Sequence, residues 1–252
     1  MTTAPRQTLG RLAADAFGTL TLPAIPAQIV AGFLALPDLT GMVSDALDLA
    51  GLPDQTVPGS LLKPSLPGSR VVGRAVTVRN RARADTPSAA VAARDNRLAD
   101  IEAHNLAEPG DVVVVQGVEN ASSLGGIAMA IARRQGEAAI VVDGAVRDIE
   151  TSREIGLPLY ARGVTPATGK WRIETIGVNV LVVICGVPVH AGDIVVADDS
   201  GLCFVPFHAA NAVLAHAAGI ATNERQRQEM IAEGRPIAEL AARPRAPAAP
   251  EN

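Results

Sequence analysis

Aromatic side chains are almost missing: four Phe, one Tyr and one Trp amount to 2% of 252 residues. A single-stranded nucleic-acid surface needs stacking platforms, and duplex binding needs a basic stripe. At a net charge of −4 this chain has neither, so no nucleic-acid partner is expected. Cysteine is scarce too. Cys185 and Cys203 stand singly inside apolar patterns, without CxxC spacing, and read as buried free thiols rather than a disulfide or metal site. The four histidines, His104, His190, His208 and His216, share no HxxxH or comparable spacing, and none is assigned to a metal. No uninterrupted apolar run approaches the roughly 20 residues of a membrane span. The opening MTTAPRQTLG has no signal-peptide core, so no membrane partner and a cytoplasmic location are expected.

What is plentiful is small and aliphatic. With 48% hydrophobic residues the chain can bury a sizeable core. It divides into a helical N-terminal extension (1–39), one α/β domain (40–235) and a C-terminal tail (236–252) with the Pro- and Ala-rich composition of a partly disordered end. Thr40 is placed to cap a helix over 41–50, with Asp45 and Asp48 on its polar side and Gly51 closing it. Residues 52–68 read as a surface connection rich in Pro and Gly, and 71–78 as a strand with Gly73 at a bulge. Arg79, Arg81 and Arg83 alternate at its end and read as a solvated face. An Ala-rich helix is expected over 89–107, then a Pro-Gly-Asp turn into a strand at 112–115. After residue 178 the pattern turns to short strands at 180–184, 187–190, 194–197 and 202–205, followed by helices at 208–217 and 223–233.

The chain is organised around residues 122–148, SSLGGIAMAIARRQGEAAIVVDGAVRD. A small-residue loop opens an Ala-rich helix that Gly136 stops, and 138–142 is a short apolar run typical of a strand covered on both faces. Asp143-Gly144-Ala145 reads as a turn that delivers Arg147 and Asp148 to the carboxyl end of the strand, where open α/β sheets bind ligands. Residues 149–155 form a helix ended by Gly156, 157–161 a strand and 162–166 a turn. Free N–H groups at the helix start and a guanidinium beside a carboxylate at the strand end could converge on one small anion. The residues alone leave two other readings of the dipeptide: a local salt bridge, or Asp148 capping the helix at Ile149.

Several segments, in order and spacing, resemble the RraA-like family of 4-hydroxy-4-methyl-2-oxoglutarate aldolases, oxaloacetate decarboxylases and regulators of ribonuclease E activity. They are SDALDLAG (44–51), PGSRVVGRAVTVR (67–79), PGDVVVV (109–115), VVDGAVRD (141–148), ARGVTP (161–166) and GDIVVADDSGLCFVP (192–206). The resemblance implies a swivelling β/β/α sandwich, assembled as a homotrimer or hexamer with sites between subunits. It implies that Asp148 binds a divalent cation, Mg²⁺ or alternatively Mn²⁺, and that Arg147 holds the pyruvate part of a small 2-oxo acid. Gly125, Gly126, Ile127 and Ala128 would form the substrate loop, with the Ile127 and Ala128 N–H groups meeting a carboxylate or keto oxygen. Such a site suits cleavage beside a 2-oxo group, because a cation and an arginine fork stabilise and orient the charge that develops.

The chain departs from the family at Gly126, where the characterised aldolases carry an acid that serves as proton donor through water. Gly126 either makes room for a bulkier substrate, or one bringing its own acid, or relieves a tight loop. Glu224, Glu229 and Glu233 are candidates for an acid reaching a neighbouring subunit's site, or are solvated helix-face carboxylates. Asp198-Asp199 reads as a hairpin turn rather than a catalytic pair. Asp143 is expected to orient Arg147. The leading expectation is a metal-dependent lyase giving pyruvate by retro-aldol cleavage or decarboxylation. A protein-binding regulator, or a metal enzyme of the same fold with other chemistry, are the alternatives.

Overall fold

The protein is described from a computed structural model, over residues 7–240. Helix α1 (Ala27–Leu34) starts after Pro26, and α2 (Leu39–Leu49) follows. Thr40 does not cap α2. It lies inside the first turn, and the Asp198 carboxylate accepts from its N–H (3.0 Å) and hydroxyl (2.6 Å). The next segment is more than a surface connection: β1 (Thr56–Pro58) and β2 (Lys63–Pro64) join sheet edges, and Val57 and Leu62 are buried.

Strand β3 (Val71–Ala82) is longer than its apolar run, because its two halves have different partners. The first half pairs with a strand from the C-terminal hairpin and the second with the strand Ile173–Val178. Gly73 lies in continuous register and serves a close approach instead of a bulge; a Cβ there would sit 2.3 Å from the Gly110 carbonyl oxygen. The register shift falls at Arg79/Asn80. The expected helix over 89–107 is divided into α3 (Pro87–Ala93) and α4 (Ile101–Leu106). Between them Arg94 turns into the left-handed region (φ 50°), and Thr175 takes both the Arg97 carbonyl and the Ala99 N–H. Tertiary hydrogen bonds there outweigh the helix propensity of alanine. Arg83 is correspondingly buried, its guanidinium forked on Asp85 and bonded to the Asp95 carboxylate and carbonyl, whereas Arg81 stays exposed beside Glu174.

The middle of the chain alternates as expected: β4 (Val112–Gln116), α5 (Gly126–Gln135), β5 (Ala139–Val146), α6 (Ile149–Ile155) and β6 (Leu159–Val164). Gly136 and Gly156 end the helices at φ 78° and 68°. Asp143-Gly144 does not turn the chain; it is an irregularity inside β5, and Arg162 to Val164 continue β6 rather than forming a turn. Then come β7 (Ile173–Val178), β8 (Val182–Ile184), β9 (Val187–Val189), β10 (Ile194–Asp198) and β11 (Gly201–Val205). The two expected C-terminal helices are one, α7 (Ala210–Ala232), before α8 (Ile237–Leu240). Ala210, Val213 and Ala217 bury its first half against α1 and α2. Of the expected tail, residues 241–252 lie outside the described residues.

The main sheet runs β1-β11-β10-β3-β4-β5-β6-β2, with β7 on the far half of β3. Strands β3 to β6 are parallel, and β10, β11 and β1 antiparallel. Side-chain alternation sorts the core into layers. Val113, Val115, Ile140 and Val142 face α4 to α6, whereas Val112, Val114, Ala139 and Val141 face the β8–β9 hairpin and the inner side of β10–β11. Helices α1, α2 and α7 cover the outer side of β10–β11. This is the β/β/α sandwich expected from the family resemblance.

A buried His104–Glu137 pair ties α4 to the start of β5, with Nδ1 2.8 Å from the carboxylate. Burial opposes charge on the imidazole, but the hydrogen bond and charge of Glu137, with the charge of Asp100, hold its pKa above 6.5. Because the folded pKa is raised, the contribution is complete below the unfolded value and is lost as pH rises through the folded one. The urea midpoint is therefore expected to fall as pH rises above the ordinary histidine range, and His104→Gln to remove that component of the slope.

Candidate active site at the carboxyl end of β5

Arg147 and Asp148 follow β5 directly, where the parallel strands end. The loop before α5 is fastened to the same place: the Ser122 and Ser123 N–H groups donate to the carbonyls of Ala167 and Ala145, and the Arg147 N–H to Leu124 (3.1 Å). Asp148 has left-handed backbone (φ 57°) and occupies the N-cap of α6 without capping it. Its Oδ2 instead accepts the Gly126 N–H at 2.9 Å, the first donor of α5, and lies 3.5 Å from Arg147 Nε. Arg147 and Asp148 thus pair with each other, and Asp148 caps α5 instead of the expected α6. Asp148 Oδ1 has no hydrogen bond among the described residues, nor do the N–H groups of Ile127 and Ala128. Those two donors, at the positive end of a ten-residue helix, are available to an anion.

Gly125 makes this arrangement sterically possible. Its backbone is extended, but a Cβ would come 2.7 Å from Asp148 Oδ2 and 3.0 Å from Arg147 Nε. Gly125→Ala is therefore expected to displace both side chains and reduce turnover about 10²-fold, with circular dichroism unchanged. Unaltered steady-state kinetics would count against this role for the loop. At Gly126 the crowding is milder, since a Cβ would meet Thr151 Cγ2 at 3.1 Å. Any side chain at Gly126 would have to share its space with Thr151.

The loop and the Arg147–Asp148 pair form one wall of a cleft of about 390 Å³. The cleft is also lined by residues that no local motif announces: Arg11, Asn96, Asp100 and Lys170. Arg11 arrives because the Leu9 and Arg11 N–H groups donate to the buried Glu102 carboxylate at 2.7 and 2.6 Å. Glu102, two residues from Asp100, carried no readable signal for this in its own stretch of sequence.

Other expectations fare differently. Asp143 does not orient Arg147; it lies on the opposite side of β5, paired with Arg162 and accepting the Cys185 N–H at 2.6 Å. Asp198 and Asp199 are structural, the first on Thr40 and Ser200, the second on the Gly68 N–H. Glu224, Glu229 and Glu233 lie along or at the end of α7 and do not line the cleft of their own chain. Cys203 is buried and Cys185 half-buried, with burial pushing the thiols up to about 12 and about 11. Among the described residues no three His, Cys, Asp or Glu side chains gather into a metal cage, and no single helix is long and apolar enough to cross a membrane.

Known proteins share this architecture. Residues 40–204 match the sequence model of the RraA-like family, described as Aldolase/RraA. A Halalkalibacterium halodurans protein named "Putative 4-hydroxy-4-methyl-2-oxoglutarate aldolase" is 36% identical over 177 residues, 69% of this chain and 75% of that protein. An uncharacterized protein of Pseudomonas syringae pv. tomato superposes with a TM-score of 0.72 at 28% identity, over 87% of this chain and 100% of that one. Streptomyces coelicolor RraAS2, described as an unusual member of the RNase ES inhibitor RraA protein family, gives 0.69 at 26% identity, over 82% and 99%. With the fold and most of the length of these relatives in common, the chain belongs to the RraA-like family, which includes aldolase and decarboxylase members as well as RraA regulators.

Proposed function

We propose that the protein is a divalent-metal-dependent lyase that cleaves a carbon–carbon bond of a short 2-oxo acid to give pyruvate, by decarboxylation or retro-aldol cleavage. The observation that carries the reading is the convergence of Arg147, the free Oδ1 of Asp148 and the unpaired Ile127 and Ala128 N–H groups on one cleft. The Arg147 fork matches a carboxylate and holds the 2-oxo acid in one orientation. The two N–H groups donate to the second oxygen and, with the dipole of α5, stabilise the growing negative charge. Asp148 would hold Mg²⁺, or Mn²⁺ in its place. One carboxylate with a free oxygen fits a hard ion that keeps most of its waters, and does not fit one caged by protein. When bound, such an ion supplies Lewis-acid polarisation of the keto oxygen.

The site would be completed in a homotrimer or hexamer. Ile127 (80% exposed) and Val164 (67% exposed) flank the Arg147–Asp148 pair, and such an apolar rim is what a subunit contact would cover. A cytoplasmic location goes with this reading. The alternative, a non-catalytic regulator, is favoured by one feature, the absence of an acid at Gly126. Pyruvate release from oxaloacetate and from 4-hydroxy-4-methyl-2-oxoglutarate, with Mg²⁺ and with excess chelator, separates the two. Protein- and metal-dependent release is expected; release no faster than with the metal alone would leave the regulator.

A further inference from the structure

We propose that Asp100 carries the proton to and from substrate C3, in the role left open by Gly126. The inference rests on the lyase reading above and concerns a residue that no motif in the chain marks. Among the described residues, Asp100 is the second acidic side chain lining the cleft that the Arg147–Asp148 loop also lines. It occupies the N-cap of α4, yet its side chain makes no capping bond to that helix. The wall is rigid. Glu102, two residues on, is bound by the Leu9 and Arg11 N–H groups, His104 is locked to Glu137, and Ala103 and Leu106 pack with Met129 and Ala132 of α5. A carboxyl carried on a backbone fastened at these points is positioned to act on one atom in the cleft.

Its surroundings suit proton transfer. Burial raises the Asp100 pKa above 3.8, while His104, the N–H groups of Asp100 and Ile101, and Arg11 pull it down without cancelling the rise. Arg147, Asp148 and Lys170 are the other charged groups on the cleft wall. A carboxyl raised toward the working pH can both donate and accept. For an oxaloacetate-like substrate, the C3–C4 bond breaks, CO₂ leaves and the electron pair stays with C3 as the pyruvate enolate. The Asp100 carboxyl then gives its proton to C3, and solvent reprotonates the resulting carboxylate. In reverse, that carboxylate takes a proton from the methyl group of pyruvate.

The reverse step supplies the test, hydrogen–deuterium exchange of the pyruvate methyl in D₂O with Mg²⁺, followed by proton NMR. Wild-type protein is expected to exchange at a rate that rises with pH as Asp100 ionises. Asp100→Asn should slow exchange about 10²-fold at unchanged pyruvate KM and flatten that pH dependence. Asp100→Glu should recover part of the rate, which a purely structural carboxylate would not. In metal-free protein, a carboxyl carbon titrating above the ordinary aspartate range and missing from Asp100→Asn supports the same assignment. If Asp100→Asn keeps wild-type exchange while Asp148→Asn is inactive, Asp100 is not the proton carrier and the lyase reading stands. Loss through a raised KM or a lowered melting temperature also overturns the proposal, assigning Asp100 a structural role. Wild-type protein that neither exchanges pyruvate nor releases it from oxaloacetate overturns both.

Discussion

Asp148→Asn is expected to abolish metal-dependent pyruvate release, by about 10²- to 10³-fold or more, with almost no change in stability. The substitution isolates charge from shape. Asparagine tolerates the left-handed backbone at φ 57° and keeps an oxygen for the Gly126 N–H. It forfeits only the ion pair with Arg147, 3.5 Å long between side chains 35% and 44% exposed. Pairs that open to solvent contribute about 0–1 kcal/mol. Alanine at the same position would mix two effects, since it strains the αL backbone and removes the cap of α5, worth about 1 kcal/mol. The pairing of kinetics with thermal melting is therefore decisive for asparagine. Chelator-sensitive release that survives Asp148→Asn would remove the proposed metal ligand and with it the lyase mechanism.

Arg74→Ala should have the largest effect on stability, about 3–5 kcal/mol by denaturant titration, without any contact to the cleft. Arg74 is buried in the first half of β3. Its guanidinium forks the Asp111 carboxylate at 2.9 Å through both Nε and Nη2, reaches Glu108 at 2.9 Å, and donates to the Leu22 carbonyl at 3.0 Å. One side chain thus ties the sheet to the Pro-Gly-Asp turn and to the N-terminal segment. Its removal leaves Asp111, itself 3% exposed, as a buried carboxylate holding only the Glu108 N–H. The uncompensated charge makes the loss large, whereas replacing both partners by apolar residues should recover much of it. A single-substitution midpoint equal to wild type would show that water reaches Asp111 freely.

The positions of helix and strand were legible wherever periodicity and punctuation agreed. Val112 to Val115 and Ile140 to Val142 are apolar runs too short for helices, and Gly136 and Gly156 stop α5 and α6 in the left-handed conformation that glycine permits. The same local logic placed Arg147 and Asp148 at the end of a parallel strand. It failed where a distant partner decided the outcome. The alanines of 89–107 favour one helix, but Thr175 and Arg83 claim the backbone and carboxylate between α3 and α4. Asp143, four residues before Arg147, was read as its neighbour, yet β5 is irregular between Val142 and Ala145 and Arg147 lies beyond its end, and Asp143 pairs with Arg162 and the Cys185 N–H instead.

Sequence alone determined the family, the order of its elements and the Arg147–Asp148 dipeptide, because these depend on residue types a few positions apart and on steric rules that act locally. Only the tertiary structure decided that Asp148 caps α5 rather than α6, that Gly125 must lack a side chain, and that Arg11 and Asp100 line the same cleft. Those facts depend on segments far apart in the chain meeting at the end of a sheet. A carboxylate's role there is set by the donors, charges and solvent around it, and by nothing in its own short stretch of sequence.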